Sequence, residues 1–141
     1  MAEFSFSGID ELMLSMQEVA EIPDEVVDEM LNAQADVVVE AQRKQGKAMG
    51  VHRTGLTVKS IKKGKVKLRK DGTRCIYVSP MGTRKRGNKR VRNAEIGFVT
   101  EYGTRTQKAR PFIKTANEKS AAETTAAAAE VHHRWLESKG L

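Results

Sequence analysis

The stretch "EYGTRTQKARPF" (residues 101–112) decides how the C-terminal part of the chain is arranged. Gly103 is where the chain needs a positive φ to reverse, because glycine adopts that conformation without steric cost. Thr104 is placed to hydrogen-bond back to the turn backbone. Pro111 fixes φ for the start of a helix, and Phe112 is expected to anchor that start in the core. The intervening loop is cationic, which keeps it solvated or directs it towards an acidic neighbour; its basic residues are Arg105, Lys108 and Arg110.

The 141-residue chain has a net charge of +7 that is distributed unevenly. Residues 1–50 hold 3 Lys/Arg and 11 Asp/Glu (−8), residues 51–110 hold 18 and 3 (+15), and residues 111–141 hold 4 and 4 (0). An acidic end and a basic middle attract polyanions, or copies of the chain arranged head to tail. The length predicts a single domain over residues 1–141.

Cysteine content and hydropathy exclude several classes of protein. The single cysteine rules out an intramolecular disulfide, which fits a reducing compartment. The start "MAEFSFSGIDELM" has neither the basic nor the apolar region of a signal peptide. The longest purely aliphatic runs of the whole chain, "VVV" and "AAAA", are far too short to span a bilayer, so we expect no membrane partner.

Helical periodicity predicts three helices. Residues 7–21 form a short amphipathic helix with Ser7 as its cap. Residues 23–50 form a long helix with an acidic start, a basic end and Gly50 as terminator; its expected buried stripe is Val27, Met30, Leu31, Val38 and Ala41. Residues 111–140 form a long helix with a face of mostly small residues that lets another helix approach closely; that face is Ile113, Ala116, Ser120, Thr124, Ala127, Val131 and Trp135.

The middle of the chain predicts strands. In "KVKLRKDGTRCIYV" (65–78), Asp71-Gly72 indicates a two-residue type I′ turn that places Leu68 opposite Cys75 and Arg69 opposite Arg74. The opposed arginines need an anionic surface, from this chain or a partner. Residues 80–93 are expected to form a flexible basic loop or long hairpin tip. Segments 52–64 and 94–103 fit either helix or strand. The expected fold is α+β: a small antiparallel sheet with the basic hairpin or loop, packed against N-terminal helices and the long C-terminal helix.

No residue pattern predicts an active site or a cofactor. His132 and His133 are adjacent, so on a helix they point in different directions and cannot share a metal. Cys75 is expected on the inward face of the hairpin as a small hydrophobe. The acidic cluster at residues 24–29 complements a helix dipole, and "GTRKRGNK" lacks the Walker pattern.

The basic middle has three interpretations: a solvated charge run, a contact with an acidic protein neighbour, or direct binding of nucleic acid. The run "TRKRGNKRVRN" contains no aromatic residue for base stacking, whereas phosphate contacts need only Lys and Arg. The candidate contact residues are Arg84, Lys85, Arg86, Lys89, Arg90, Arg105, Lys108 and Arg110.

The block "AEIGFVTEYGTRTQKARPFIKTA" (94–116) resembles a signature of the neck and tail-completion proteins of long-tailed bacteriophages. Its matching positions are Glu101, Tyr102, Gly103, Thr104, Pro111, Phe112 and Ala116. Upstream, "RTGLTVKSI" is similar to the family's Thr-Gly-x-Leu…Ser-Ile step, although Leu56 comes one position early. The resemblance is specific over about residues 95–116 and extends to the rest of the chain only in layout.

The resemblance implies a non-enzymatic α+β subunit of the virion neck, assembled in the bacterial host cytoplasm, without a cofactor. Such a subunit forms a homo-oligomeric ring around the DNA path between portal and tail tube. Its implied partners are its own copies, neighbouring connector, portal or tail-tube proteins, and channel DNA through nonspecific contacts. The alternative is a small basic protein that binds nucleic acid without sequence preference.

Overall fold

The computed structural model describes residues 21–51 and 55–140, and the helix predicted over residues 7–21 lies outside these ranges apart from its last position. In chain order the elements are α1 (Asp24–Ala48), α2 (Leu56–Lys59), β1 (Ile61–Lys63), β2 (Lys67–Leu68), β3 (Arg74–Cys75), β4 (Val78–Pro80), β5 (Thr83–Arg86), β6 (Lys89–Arg92), α3 (Asn93–Tyr102) and α4 (Phe112–Ser138). The predicted α+β class is confirmed.

The two long helices, α1 and α4, pack antiparallel along their length. Near one end, Arg134 Nη2 lies 3.6 Å from Glu29 Oε1. Towards the other end, Gln42 Nε2 donates to Asn117 Oδ1 at 3.0 Å. The small-residue face predicted for the C-terminal helix is confirmed, because it is buried or half-buried at every predicted position. That face is where α1 packs.

The stripe predicted for α1 faces inwards, but it does not include the most deeply buried residues of the helix. Each of the five predicted residues is only half-buried, whereas Ala35, Gln42 and Gly46 are fully buried. At Gly46 a small residue is needed, because α1 meets both α2 and the start of α4 there. A Cβ atom on Gly46 would lie 2.9 Å from Val58 Cγ2 and 3.4 Å from Phe112 Cδ2.

The hydrophobic core lies where α1, α2, β1 and the start of α4 meet. Its buried members are Val51, Val58, Ile61 and Phe112, and the last two have no exposed surface. Residues 52–64, which fit either helix or strand, supply one helical turn (α2) and then β1 in the part that is described. Arg43 fixes β1 against α1, because its Nε and Nη2 donate to the Ile61 carbonyl at 3.2 and 2.6 Å.

The strands form three separate two-stranded antiparallel ladders, β1–β4, β2–β3 and β5–β6. Residues 80–93, expected as a flexible loop or hairpin tip, contain the β5–β6 hairpin, and their flexibility stays a prediction. Segment 94–103, which was ambiguous, is helical in α3. Its first residue is Asn93, whose amide Nδ2 donates to the Met81 carbonyl at 2.8 Å.

The predicted register of the first hairpin is wrong by one residue. Lys67 pairs with Cys75 and Leu68 pairs with Arg74. The Arg69 N–H then donates to the Thr73 carbonyl at 2.8 Å, so three residues connect the arms beyond that bond. Gly72 has a φ of +87°, but no non-glycine residue that is described has a positive φ, which excludes the type I′ turn. Asp71 Oδ1 instead accepts from the Thr73 N–H and hydroxyl at 3.0 and 2.6 Å. Leu68 consequently remains 66% exposed, and Cys75 is half-buried rather than buried.

The chain itself supplies an anionic surface for Arg74. Its Nε donates to Asp28 Oδ1 at 2.6 Å and its Nη2 donates to Asp28 Oδ2 at 2.8 Å. This forked contact lowers the pKa of Asp28 below its ordinary value, chiefly through the hydrogen bond from Arg74. Lys63 Nζ similarly lies 2.8 Å from Asp36 Oδ1. Part of the charge on the acidic helix is therefore neutralised within the fold.

Phe112→Ala should lower the free energy of unfolding by about 3–5 kcal/mol, because it empties a fully buried site. Phe98→Ala is the matched control: Phe98 is 64% exposed, so the same chemical change there should have little effect. Urea unfolding of both variants measures the difference. Equal losses for the two variants would contradict the placement of Phe112 in the core.

Candidate functional site

Glu101, at the end of α3, caps the first turn of α4. Its Oε2 accepts from the Ile113 N–H and its Oε1 accepts from the Lys114 N–H, both at 2.9 Å. The Glu101 residue is buried, with 8% of its surface exposed. A helix N-terminus carries partial positive charge, so an anion at this position is stabilising. One side chain therefore joins two helices that are separated by a loop.

The cap is needed because Pro111 precedes α4. The helix begins at Phe112, one residue later than the sequence predicts, and Pro111 has no side-chain acceptor to serve as N-cap. Pro111 has φ −76° and ψ 66°, the values of an inverse γ-turn. This turn lets the Phe112 N–H donate to the Arg110 carbonyl at 2.8 Å. With Glu101 taking the next two N–H groups, every free donor of the first turn has an acceptor.

The loop between α3 and α4, residues 103–111, folds back on itself. Gly103 ends α3 with a φ of +75°, which confirms the predicted reversal. The Thr104 N–H donates to the Gln107 carbonyl at 2.8 Å, and the Gln107 N–H donates to Thr104 Oγ1 at 3.1 Å. The predicted bond from Thr104 to the turn backbone is thus confirmed. A Cβ atom on Gly103 would lie 2.7 Å from the Ala109 nitrogen, so only glycine fits.

The basic residues of this loop have different surroundings. Arg105 and Lys108 are exposed and form no salt bridge within the described ranges. Arg110 instead bonds its own chain: its Nη1 donates to the Gly50 carbonyl at 3.0 Å, beyond the end of α1. The backbone of Arg110 is also held, since its N–H donates to the Thr100 carbonyl at 2.8 Å. Arg105 and Lys108 therefore remain as outward contacts, whereas Arg110 helps to hold the loop in place.

Two aromatic side chains on α3 are exposed beside this loop. Tyr102 is 69% exposed and Phe98 is 64% exposed, and their ring centroids lie 4.7 Å apart. A groove of about 710 Å³ adjoins them, with Pro80, Gly97 and Ile113 among its lining residues. Of the matching family positions, Glu101, Phe112 and Ala116 are thus buried and Tyr102 faces outwards.

The β5–β6 hairpin presents most of the remaining candidate residues. Thr83 pairs with Arg92, Arg84 with Val91, Lys85 with Arg90 and Arg86 with Lys89 across a two-residue turn. Gly87, the first turn residue, has a φ of +63° as a type II′ turn requires. Because strand side chains alternate between faces, Lys85 and Arg90 share the outer face with Thr83 and Arg92. Arg84 and Val91, on the other face, are half-buried.

The inner face of the hairpin borders a cleft of about 780 Å³. Its lining includes Thr57, Arg84, Arg86, Val99 and Arg110. Arg84 Nη2 donates to Thr57 Oγ1 at 2.8 Å. Burial lowers the pKa of the Arg84 guanidinium, and the nearby charge of Arg86 lowers it further. The cleft therefore brings together positive charge from the hairpin and from the loop that precedes α4, and an anion there would be stabilised.

The other residue types considered for chemistry lie outside this region. His133 is exposed, and its Nε2 lies 3.1 Å from Glu137 Oε1 on the same helix. His132 stacks near Trp135, with ring centroids 5.9 Å apart. Over residues 21–51 and 55–140, no group of three or more His, Cys, Asp or Glu side chains is placed to hold a metal ion.

Comparisons of the chain with protein-family models, with curated proteins and with solved structures find no match. Within the described ranges, no helix combines the length and apolarity that crossing a membrane requires. The function proposed below therefore depends on the residues and geometry of this chain.

The sequence predicted the loop that precedes α4, but not the hydrogen bonds of Glu101 and Arg110 that hold it in place. The roles expected of Gly103, Thr104 and Phe112 are confirmed, whereas the cap made by Glu101 was not predicted. One signal was available: a proline before a helix cannot cap it, so the first-turn N–H groups need an acceptor from elsewhere. The bond from Arg110 to the end of α1 joins residues far apart in the chain, and no local pattern indicates it.

Gly103→Ala should lower stability more than Gly72→Ala, although both glycines have positive φ. Gly72 has a φ of +87° and open space around its Cβ position, so alanine should cost about 1–2 kcal/mol there. At Gly103 the methyl group also collides with backbone, which should add ~1–3 kcal/mol. Thermal unfolding of the two variants tests this order. A Gly103→Ala protein that is as stable as Gly72→Ala would contradict the close approach of the loop.

Proposed function

We propose that this chain is a structural subunit of the head–tail connector of a long-tailed bacteriophage or prophage, assembling as a ring around the DNA path. The proposal gives it no catalytic role and no cofactor. It would act in the virion neck, in contact with its own copies and with portal or tail-tube proteins.

The observation that carries the proposal is that residues 101–116 combine buried side chains that fix the backbone with an exposed aromatic side chain. Glu101, Gly103, Phe112 and Ala116 fix the loop and the start of α4 through a cap, a reversal and buried contacts. Tyr102, with Phe98 beside it, is left exposed. Exposed tyrosine and phenylalanine side chains on a fixed backbone favour a protein interface, because these residues are enriched where subunits meet. The same residues carry the resemblance to neck and tail-completion proteins.

Charge supports a protein partner as well. Arg105 and Lys108 are held at the surface of an ordered loop, without salt bridges to the residues described. Exposed charges of this kind contribute little to the stability of the subunit itself. They guide the encounter with an oppositely charged surface and suppress wrong partners.

The second candidate, binding of nucleic acid without sequence preference, is favoured by the β5–β6 hairpin. Residues 83–92 contain six Lys/Arg and no Asp/Glu. A two-stranded ribbon fits the major groove of DNA, and its cations would contact phosphates. This activity would be strongly salt-dependent.

Negative-stain electron microscopy of the purified protein, over a range of concentrations, tests the connector proposal. The expected result is closed rings with a central opening wide enough for duplex DNA. DNA retardation assays on the same preparation test the second candidate function, nucleic-acid binding. Particles without rings that form a salt-insensitive, sequence-selective complex with DNA would contradict the connector proposal and favour a dedicated DNA-binding protein.

A further inference from the structure

On the outer face and tip of the β5–β6 hairpin, only Arg92 at the base has a carboxylate partner among the residues described, Glu95 at 2.8 Å. Lys85 lies directly opposite Arg90, and Arg86 lies opposite Lys89 at the tip. Like charges opposed across a ladder destabilise it. None of these four residues forms a salt bridge with the residues described; Arg90 makes a hydrogen bond to Thr83 Oγ1 at 3.3 Å. The hairpin is therefore suited to an anionic partner.

An acidic surface of the right kind lies on α1. Residues 21–40 contain seven Asp/Glu and no Lys/Arg. Four of these carboxylates have ion pairs within the fold, with Arg74, Lys63 and Arg134. Glu21, Glu25 and Glu40 are exposed and have no salt bridge to the described part of the chain. Glu25 lies in the first turn of the helix, and Glu21 lies three residues before the helix begins.

The fold keeps these two surfaces apart within one subunit. The hairpin borders the cleft that Gly50 and Val51 line, just beyond the C-terminal end of α1. Glu25 is in the first turn of that helix, which at 25 residues is ~37 Å long. Each hairpin strand has four residues and spans ~14 Å. The hairpin of one copy therefore cannot reach the acidic start of its own α1.

The fold already contains one contact of the kind required. Arg74 extends from the β2–β3 hairpin and binds Asp28 on α1 with both carboxylate oxygens engaged. Such forked arginine–carboxylate contacts are stronger and more directional than single hydrogen bonds. The acidic face of α1 thus accepts basic side chains from a β-hairpin, and the turn that precedes Asp28 still has exposed carboxylates for another.

We propose that the outer face and tip of the β5–β6 hairpin bind the acidic start of α1 in a second copy of this chain, head to tail. Each copy then binds one neighbour through its basic hairpin and the other neighbour through the acidic start of its α1. A heterologous contact of this kind closes into a ring when the rotation between copies allows it. A second copy satisfies both unpaired surfaces, whereas DNA would satisfy the hairpin alone and be repelled by α1. This inference rests on the ring assembly proposed above and identifies its contact surfaces.

Complementary charge reversal tests the contact. One variant carries Lys85→Glu and Arg90→Glu, and a second carries Glu21→Lys and Glu25→Lys. Sedimentation velocity at low salt should show that each variant alone self-associates at least about tenfold more weakly than wild type, because like charges facing each other in an interface repel. An equimolar mixture of the two variants should recover association, and so should a single chain carrying all four changes.

The matched control is Lys44→Glu with Lys119→Glu, two exposed positions on α1 and α4 that undergo the same change of charge. It should associate like wild type. Circular dichroism of each variant verifies folding, and recovery in the mixture or in the fourfold variant distinguishes a lost contact from a damaged fold.

Three results would overturn the inference: wild-type protein that stays monomeric throughout the concentration series, reversed variants that associate like wild type, or a mixture that fails to recover. A hairpin reversal that abolishes DNA retardation but leaves association unchanged assigns the hairpin to nucleic acid instead. Rings that are insensitive to either reversal leave the connector proposal standing without this contact. Charge-dependent association without ring closure supports this contact but contradicts the connector proposal.

Discussion

The carboxylate of Glu101 determines where the longest helix of this protein begins. It accepts from the N–H groups of Ile113 and Lys114, because Pro111 has no side chain with which to cap α4. The residue between the proline and those two donors is Phe112, which has no exposed surface. Fixing the first turn of α4 therefore also fixes the aromatic ring at the centre of the core, and with it the line along which α4 packs against α1.

The remaining surfaces follow from this arrangement of helices. The strands between α2 and α3 bring basic residues to both ends of the structure. At the acidic start of α1, Arg74 is neutralised by Asp28. At the other end, Glu95 pairs with Arg92 at the base of the β5–β6 hairpin, but the opposed cations Lys85, Arg86, Lys89 and Arg90 form no salt bridge with the residues described. Charge left unpaired at opposite ends of one rigid helix is the physical basis for proposing head-to-tail assembly.

Local sequence patterns predicted what local physics determines. The two long helices, the reversal at Gly103 and the buried ring of Phe112 all follow from periodicity, glycine conformation and hydrophobicity, and all are confirmed. The register of the first hairpin was wrong because hydrogen bonds from the Asp71 side chain to Thr73 favour a three-residue connection over the type I′ turn. Segment 94–103 was ambiguous because a short apolar run fits a buried strand or a buried helix equally. The Glu101 cap was missed because its donors lie beyond a loop.

Hydrogen exchange at the Ile113 and Lys114 amides tests the central claim most directly. In a helix these two N–H groups have no intrahelical acceptor, so their protection depends on Glu101 alone. The measurement is amide exchange by NMR in wild type and in Glu101→Ala, with Glu118→Ala, an exposed position on α4, as the control. The account predicts that both amides are protected in wild type and in the control but exchange much faster in Glu101→Ala. Unchanged protection of Ile113 and Lys114 in Glu101→Ala would contradict it.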